Sequence, residues 1–504
     1  MKKLKKKLLT GDFKFPEDVA IGSLDDMPER IIQFGEGNFL RAFVNWMVDE
    51  MNKQELFMGK TVVVQPIPQG QADTLNEQEG LYTLLLRGIS EGEIVEKKSL
   101  VTSISRAINP YEDWQAYLSC AVQPEMRFMV SNTTEAGIAY KKEAKPVDNC
   151  PETFPSKVTA FLYERFNAFN GSPDKGMIII PCELIDQNGD SLKDIVFRYI
   201  DDWDLGDKFK AWVDEHNYFL NTLVDRIVTG YPMDEAEKLK AELGYDDKLM
   251  VAGEVFHLWV IEGDESLANE LPLVEAGLDV IWTDDLTPYR TRKVRILNGA
   301  HTMMVPMAYL YGIDTVRECI EDDTVLSYMK KGIYDEIIPV LDLPQEEKEA
   351  FATAVLERFA NPFIEHQLLS IALNSVSKWQ VRVLPSLLEY IELKDKLPQV
   401  LTFSLAALLA FYKGSELRDG ALIGNRDNSQ YNIQDDQNIL DFFYKLWQDY
   451  EEDEDLHGLC TKALGQDSFW GMDLTTVEGL VQAVVNYLRE ILDKGMKAAV
   501  KDIL

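Results

Sequence analysis

"IIQFGEGNFLRAF" (residues 31–43) decides how the first half of this chain is read. A short apolar run meets a glycine, one residue, a second glycine, and then a helical apolar pattern. Strand, glycine turn and helix make the layout of a nucleotide site. Gly35 permits a tight turn, Gly37 lets a pyrophosphate approach the backbone, and the N–H groups opening the helix are anion donors. The candidate cofactor segment is therefore Ile31, Ile32, Gln33, Phe34, Gly35, Glu36, Gly37, Asn38, Phe39, Leu40, Arg41 and Ala42. Leu40 stands where the full fingerprint has a third glycine, and an ordinary βα turn is the plain alternative. The next strand-like run, "KTVVVQPI" (60–67), lacks the acidic residue that usually ends the second strand and holds a ribose. No cation stands there for a 2′-phosphate either, so the pattern favours NAD over NADP and assigns no residue to the ribose.

Outward from this turn, β-rich and helical runs alternate. "MRFMVSN" (126–132) and "GMIIIPCEL" (176–184) are apolar runs of the kind found in buried parallel sheets. "LYTLLLRG" (81–88) and "SLVTSISRAI" (99–108) read as an antiparallel pair. "FLRAFVNWMVDEMN" (39–52) and "VTAFLYERFNAF" (158–169) are helical. The alternation predicts an α/β, Rossmann-like N-terminal domain with a parallel core, placed at 1–286. From Thr287 the apolar residues recur at three- and four-residue intervals, which predicts a mostly α-helical C-terminal domain at 287–504.

Composition narrows the function. The formal net charge is -34, which argues against nucleic acid and anionic membranes as partners. Five scattered cysteines with no CxxC pair suggest reduced thiols and a cytoplasmic location. "MKKLKKKLLTGDF" begins like a signal peptide, but no apolar stretch of useful length follows, so it reads as a solvated arm. "LTFSLAALLAFY" (401–412) is too short to span a bilayer and reads as a buried helix. Glu254-x-x-His257 is half of a di-metal pattern whose second half is missing, so no metal is expected. Glu365-His366 reads as surface chemistry.

"TPYRTRKVRILNGAHTMMVP" (287–306) carries Arg290, Lys293, Arg292 and Arg295 at a helix start, where the macrodipole disfavours cations by about 0.3–1 kcal/mol each. Pairing with some of the many carboxylates is the structural explanation. At about 100° per residue, Lys293, Asn298 and His301 fall within an arc of roughly 140°. An ammonium, an amide and an imidazole then share a partly apolar face. A lysine crowded by cations gives up its proton readily, which suits a general acid/base.

Lys293-x4-Asn298-x2-His301 within "KVRILNGAH" resembles the polyol-specific long-chain dehydrogenases, the mannitol dehydrogenase family. "FLNTLVDRIVTGYP" (219–232) is similar to that family's Val-Asp-Arg-Ile signature, with Thr229 a departure. "IIQFGEGNFLRAF", "MRFMVSNTTEAGI", "IIIPCELIDQNG" and "KVRILNGAHT" resemble its members that act on sugar acids. The resemblance implies a metal-independent, NAD-dependent oxidoreductase that binds its small-molecule substrate in the helical domain. It makes Lys293 the general acid/base, Asn298 the hydrogen-bond donor to the carbonyl oxygen, and His301 a holder of a substrate oxygen. It sets Asn132 and Thr133 beside the nicotinamide and Asp225 against substrate hydroxyls; pairing of Asp225 with Arg226 is the alternative.

Two departures from the family pattern matter. Leu184 stands where a second oxyanion asparagine is usual, and Arg290 where a glutamate is usual. Arg290, with Lys378 and Arg382, suits a substrate bearing its own carboxylate. The expected reaction is the interconversion of D-tagaturonate and D-altronate in hexuronate catabolism. The alternatives are D-fructuronate, or mannitol or its phosphate, since Arg290 would serve a phosphate equally. A non-catalytic sugar-acid or nucleotide sensor is the rival of another class, and it has no need of an acid/base lysine.

Overall fold

Strict alternation of side chains builds the first sheet. In the computed structural model, which describes all residues except 135 and 428, Ile31, Val63, Val130 and Ile180 pack on one face. Ile32, Phe34, Val62, Val64, Met129 and Ile179 pack on the other. Both faces are covered, so the strands read as continuous apolar runs. The six strands are β1 (Glu29–Phe34), β2 (Lys60–Val64), β3 (Ile104–Ile108), β4 (Phe128–Ser131), β5 (Ile178–Pro181) and β6 (Tyr218–Phe219). Their order is β3-β2-β1-β4-β5-β6, and every neighbouring pair is parallel. The chain moves outward from β1 in one direction, then returns to β1's other side at β4. That reversal opens a crevice at the carboxyl ends of β1 and β4, the ligand position of doubly wound sheets.

The run 99–108 divides rather than forming one strand. Glu93–Val101 pairs antiparallel with Tyr82–Ser90, and Ile104–Ile108 leaves to become the parallel edge strand β3. Buried Thr102 and Ser103 mark the division. The N-terminal segment is a second correction. Lys2–Lys3 pairs with Tyr245–Asp246 and Leu4 is fully buried, so the arm is docked, not solvated. Its leucines join Phe13 and Phe15 in a small apolar cluster, which offsets the exposure of its lysines.

Backbone contacts divide the chain into Met1–Leu286 and Thr287–Leu504. The second unit is mostly helical around Gln399–Phe411, where every residue from Val400 on is buried. It also holds a three-stranded antiparallel sheet, Gly414–Arg418, Ala421–Arg426 and Ser429–Ile433, which the helical reading did not anticipate. Asp419 and Gly420, both at positive φ (52° and 78°), form its first hairpin turn, an Asp-Gly signal present in the sequence. Among the described residues no helix is long and apolar enough to cross a membrane.

Candidate active site

In the first unit, the glycine turn joins β1 to two short helices, α1 (Asn38–Ala42) and α2 (Val44–Lys53), which break at Phe43 (φ -124°, ψ -85°). Gly35 has φ +115°, and a Cβ there would lie 2.9 Å from the Asn132 carbonyl oxygen. Only glycine fits, because the turn needs the left-handed region and close approach to the strand end at β4. At Gly37 a Cβ would meet nothing within 4 Å, and Gly37 and Asn38 are exposed. The protein is therefore closed behind the turn and open in front of it, which fits a pyrophosphate lying against the backbone.

The other residues of the segment shape this turn from within. Ile31, Ile32, Phe34, Leu40 and Ala42 have buried side chains. Phe39 stacks on Phe43 at 5.0 Å. Gln33 is buried; its Nε2 donates to Gly35 O (2.8 Å) and to Asn45 Oδ1 (3.1 Å), and Asn45 Nδ2 donates back (2.9 Å). Arg41, 2 % exposed, is a strut rather than an anion ligand. Its guanidinium donates to Glu36 O (3.2 Å), Asn38 Oδ1 (2.8 Å) and Leu249 O. Arg226 repeats the device by donating to Ala42 O (2.6 Å), Phe256 O (3.0 Å) and Val255 O (3.1 Å), 4.2 Å above Trp46. Burial pushes Arg226 down to about 9. Asp225 ends the strand Asn221–Asp225 and is buried.

Across the crevice, Asn132 and Thr133 are held by the segment after β5. Asn132 Nδ2 donates to Cys182 O (2.7 Å). Thr133 N and Oγ1 both donate to Glu183 Oε1 (2.9 Å each), and Ser131 Oγ donates to Oε2 (3.0 Å). Glu183 was not singled out from the sequence, yet its buried carboxylate fixes this whole turn. Leu184 is 63% exposed. His257 is structural: its Nε2 accepts from Asp279 N (3.0 Å), and Glu254 accepts from Ile227 N (2.6 Å). Among the described residues no group of His, Cys, Asp and Glu could hold a metal.

In the second unit, α3 (Thr287–Arg292) runs into a π-helical turn, Lys293–Asn298, and then α4 (Gly299–Tyr311). Five residues of α-helix would leave Lys293 and Asn298 about 140° apart. A π-turn closes i→i+5 and brings such a pair into line. Lys293 and Asn298 stand at the two ends of this π-turn, and His301 lies three residues on in the helix that follows; all three are half-buried.

The cations divide into two kinds. Arg295 donates to Ser386 Oγ (2.9 Å) and Glu389 (3.1 and 3.3 Å), and Arg292 lies 4.5 Å over Phe351 and 3.9 Å from Glu347. Both are structural. Arg290 and Lys293 are half-buried. His301 stacks on Phe359 at 4.2 Å and meets His366 edge-on at 5.4 Å, so His366 is no surface residue in its chemistry. Its Nε2 is buried with no hydrogen-bond partner. Burial first, then the charges of His366, Arg358, Arg382 and Lys378, hold the ring well below its usual range and keep it neutral. Lys378 and Arg382 lie on α5 (Ser375–Arg382); Lys378 Nζ donates to Ile371 O (2.8 Å). A Cβ on Gly299 would lie 3.1 Å from Arg382 O, so α5 abuts the start of α4 directly. Arg358 adds to the positive charge of Lys378 and Arg382 around the ring, and nothing in the spacing signalled it.

A doubly wound sheet with an open glycine turn suits a dinucleotide-dependent enzyme. Residues 29–275 match the family model of the mannitol dehydrogenase Rossmann domain, and residues 285–492 that of the mannitol dehydrogenase C-terminal domain. The chain belongs to the mannitol dehydrogenase family and is an oxidoreductase. It is 49% identical over 478 residues to the altronate oxidoreductase of Escherichia coli O6:K15:H31 (strain 536 / UPEC), covering 94% of this chain and 97% of that one. The altronate oxidoreductase of Enterobacter sp. (strain 638) is 48% identical over the same shares. Two solved structures share the fold. The substrate-free crystal structure of a D-sorbitol dehydrogenase matches at TM-score 0.80 and 24% identity, over 99% of this chain and 100% of that chain. Pseudomonas fluorescens mannitol 2-dehydrogenase, in ternary complex with NAD and D-mannitol, matches at TM-score 0.65 and 21% identity, over 100% and 99%.

Proposed function

We propose that this chain catalyses the NAD(H)-dependent interconversion of D-altronate and D-tagaturonate. The observation that carries the substrate is the 49% identity to altronate oxidoreductase across 94% of the chain. The open glycine turn supports the cofactor, and half-buried Lys293, Asn298 and His301 on one continuous helical stretch support the chemistry. Bound NAD(H) supplies the hydride acceptor or donor. The Met1–Leu286 unit serves as the cofactor domain and the Thr287–Leu504 unit as the substrate and catalytic domain.

In ketone reduction, the Lys293 ammonium gives a proton to the carbonyl oxygen as that oxygen gains negative charge. In the reverse direction, the neutral amine takes the hydroxyl proton. Asn298 donates a hydrogen bond to the same oxygen and stabilises the developing alkoxide. His301, neutral and with a buried Nε2 lacking a protein partner, holds a further substrate oxygen. Arg290, Lys378 and Arg382 take the substrate carboxylate, Asp225 a hydroxyl, and Asn132 and Thr133 border the nicotinamide.

The test follows NADH consumption with tagaturonate, fructuronate, fructose and fructose 6-phosphate side by side. Tagaturonate should exceed fructose in kcat/KM by at least about 100-fold, since a site built for a charged group rejects the analogue lacking it. Equal turnover of fructose would remove the carboxylate from the reading. No turnover of any of the four would leave a sensor.

A further inference from the structure

Doubly wound dinucleotide domains ordinarily hold the adenosine ribose with an acidic residue at the end of the second strand. Here β2 ends at Val64, and Gln65, Pro66, Ile67 and Pro68 follow. No carboxylate appears before Asp73, and no lysine or arginine either. Gln65 is buried and engaged within its own loop. Its Nε2 donates to Ile67 O and Pro68 O (2.9 Å each), and its Oε1 accepts from Ala72 N (3.3 Å).

A carboxylate reaches this loop all the same, delivered from the glycine turn after the neighbouring strand β1. Glu36, between the two glycines of the turn, is 8% exposed and reaches toward the loop after β2. Its Oε1 accepts from Gln71 N at 3.2 Å. A Cβ on Gly70 would lie 2.1 Å from that same oxygen, so Gly70 is the residue that lets the carboxylate in. Burial raises Glu36 above its usual range, opposed by backbone hydrogen bonds and the charge of Arg41. A desolvated acceptor of this kind gains from hydroxyl donors. Ile67, 56% exposed in the same loop, offers an apolar surface to a flat base.

Resting on the dinucleotide reading above, we infer that Glu36 is the ribose anchor of this enzyme. The acidic function has moved from the second strand to the glycine turn. There its carboxylate accepts hydrogen bonds from the adenosine ribose hydroxyls and repels a 2′-phosphate, and the loop holds no cation to offset that repulsion.

The test measures direct binding to the full-length protein without substrate, by NADH and NADPH fluorescence, for wild type, Glu36→Gln and Glu36→Asp. A 2′-deoxyadenosine analogue of NADH is the fourth arm. Wild type should prefer NADH over NADPH by at least about 100-fold. Glu36→Gln should shrink that ratio by at least about tenfold, the worth of a hydrogen bond to a charged group. Glu36→Asp, which keeps the charge, should hold the discrimination while binding both more weakly. Removing the 2′-hydroxyl should weaken wild type about tenfold and Glu36→Gln by clearly less, since its neutral amide oxygen is a weaker acceptor than a carboxylate. An unchanged NADH:NADPH ratio in Glu36→Gln, or equal loss of the deoxy analogue's affinity in both proteins, would make Glu36 a mere loop brace and overturn the inference. Wild type binding both cofactors equally would overturn it too. Wild type binding neither would overturn the dinucleotide reading itself, and the inference with it.

Discussion

Lys293 and His257 show how differently two ionisable side chains serve one chain. Lys293 is assigned the proton transfer, so Lys293→Ala should lower kcat by about 10²–10⁴-fold. NADH binding, measured by fluorescence, should survive, since the glycine turn lies in the other unit. His257 acts on stability. Burial, then the neighbouring Arg226 charge, push it down to about 3. In the unfolded chain an imidazole titrates near about 6.5. Between those values the unfolded state holds a proton that the folded state does not. Stability from this group is therefore full above the unfolded value and falls as pH drops through the window, by up to about 1.4 kcal/mol per pH unit. Glutamine at 257 retains an acceptor for the Asp279 N–H but does not titrate. Urea unfolding across the window should show a shallower pH slope for His257→Gln than for wild type; equal slopes would assign the acid sensitivity elsewhere.

Elements are decided by single turns and caps. Gly35→Ala forces a side chain into positive φ and within 2.9 Å of Asn132 O, so it should weaken NADH binding by about tenfold or more and lower the melting temperature. The π-turn is an extra residue accommodated in a helix. Gln399–Phe411 has no side-chain cap of its own; Glu336, buried on a second π-turn (Lys331–Ile337), accepts from Val400 N and Leu401 N at 2.9 Å each. Glu336→Ala should cost about 2–3 kcal/mol by denaturant titration, because two buried donors lose their acceptor.

At the scale of the whole molecule, a net charge of -34 repels itself. Adding sodium chloride from low to moderate ionic strength should raise the melting temperature, as screening shortens the reach of that repulsion. A flat or falling response would mean that local ion pairs dominate. Much of the architecture was legible because it rests on periodicity. Alternation marked the parallel strands, and three- and four-residue spacing marked the helices. Lys293, Asn298 and His301 were legible as residue types, while the π-turn from Lys293 to Asn298 was not. The small sheet at 414–433 was missed because long helical runs on both sides outweighed one Asp-Gly turn.

By itself the sequence determined the two-part architecture, the glycine turn and the residue types proposed for catalysis. These depend on neighbours within a turn or two of chain. Only the tertiary structure decided what each polar group is bonded to. It made Arg41 and Arg226 struts and Arg292 and Arg295 ion-pair members, left His301 Nε2 buried without a partner, and carried the Glu36 carboxylate to the end of a strand that lacks one. Those outcomes depend on partners up to some two hundred residues away, such as Leu249 for Arg41. No local pattern encodes which distant carbonyl or carboxylate will meet a given side chain when the core closes.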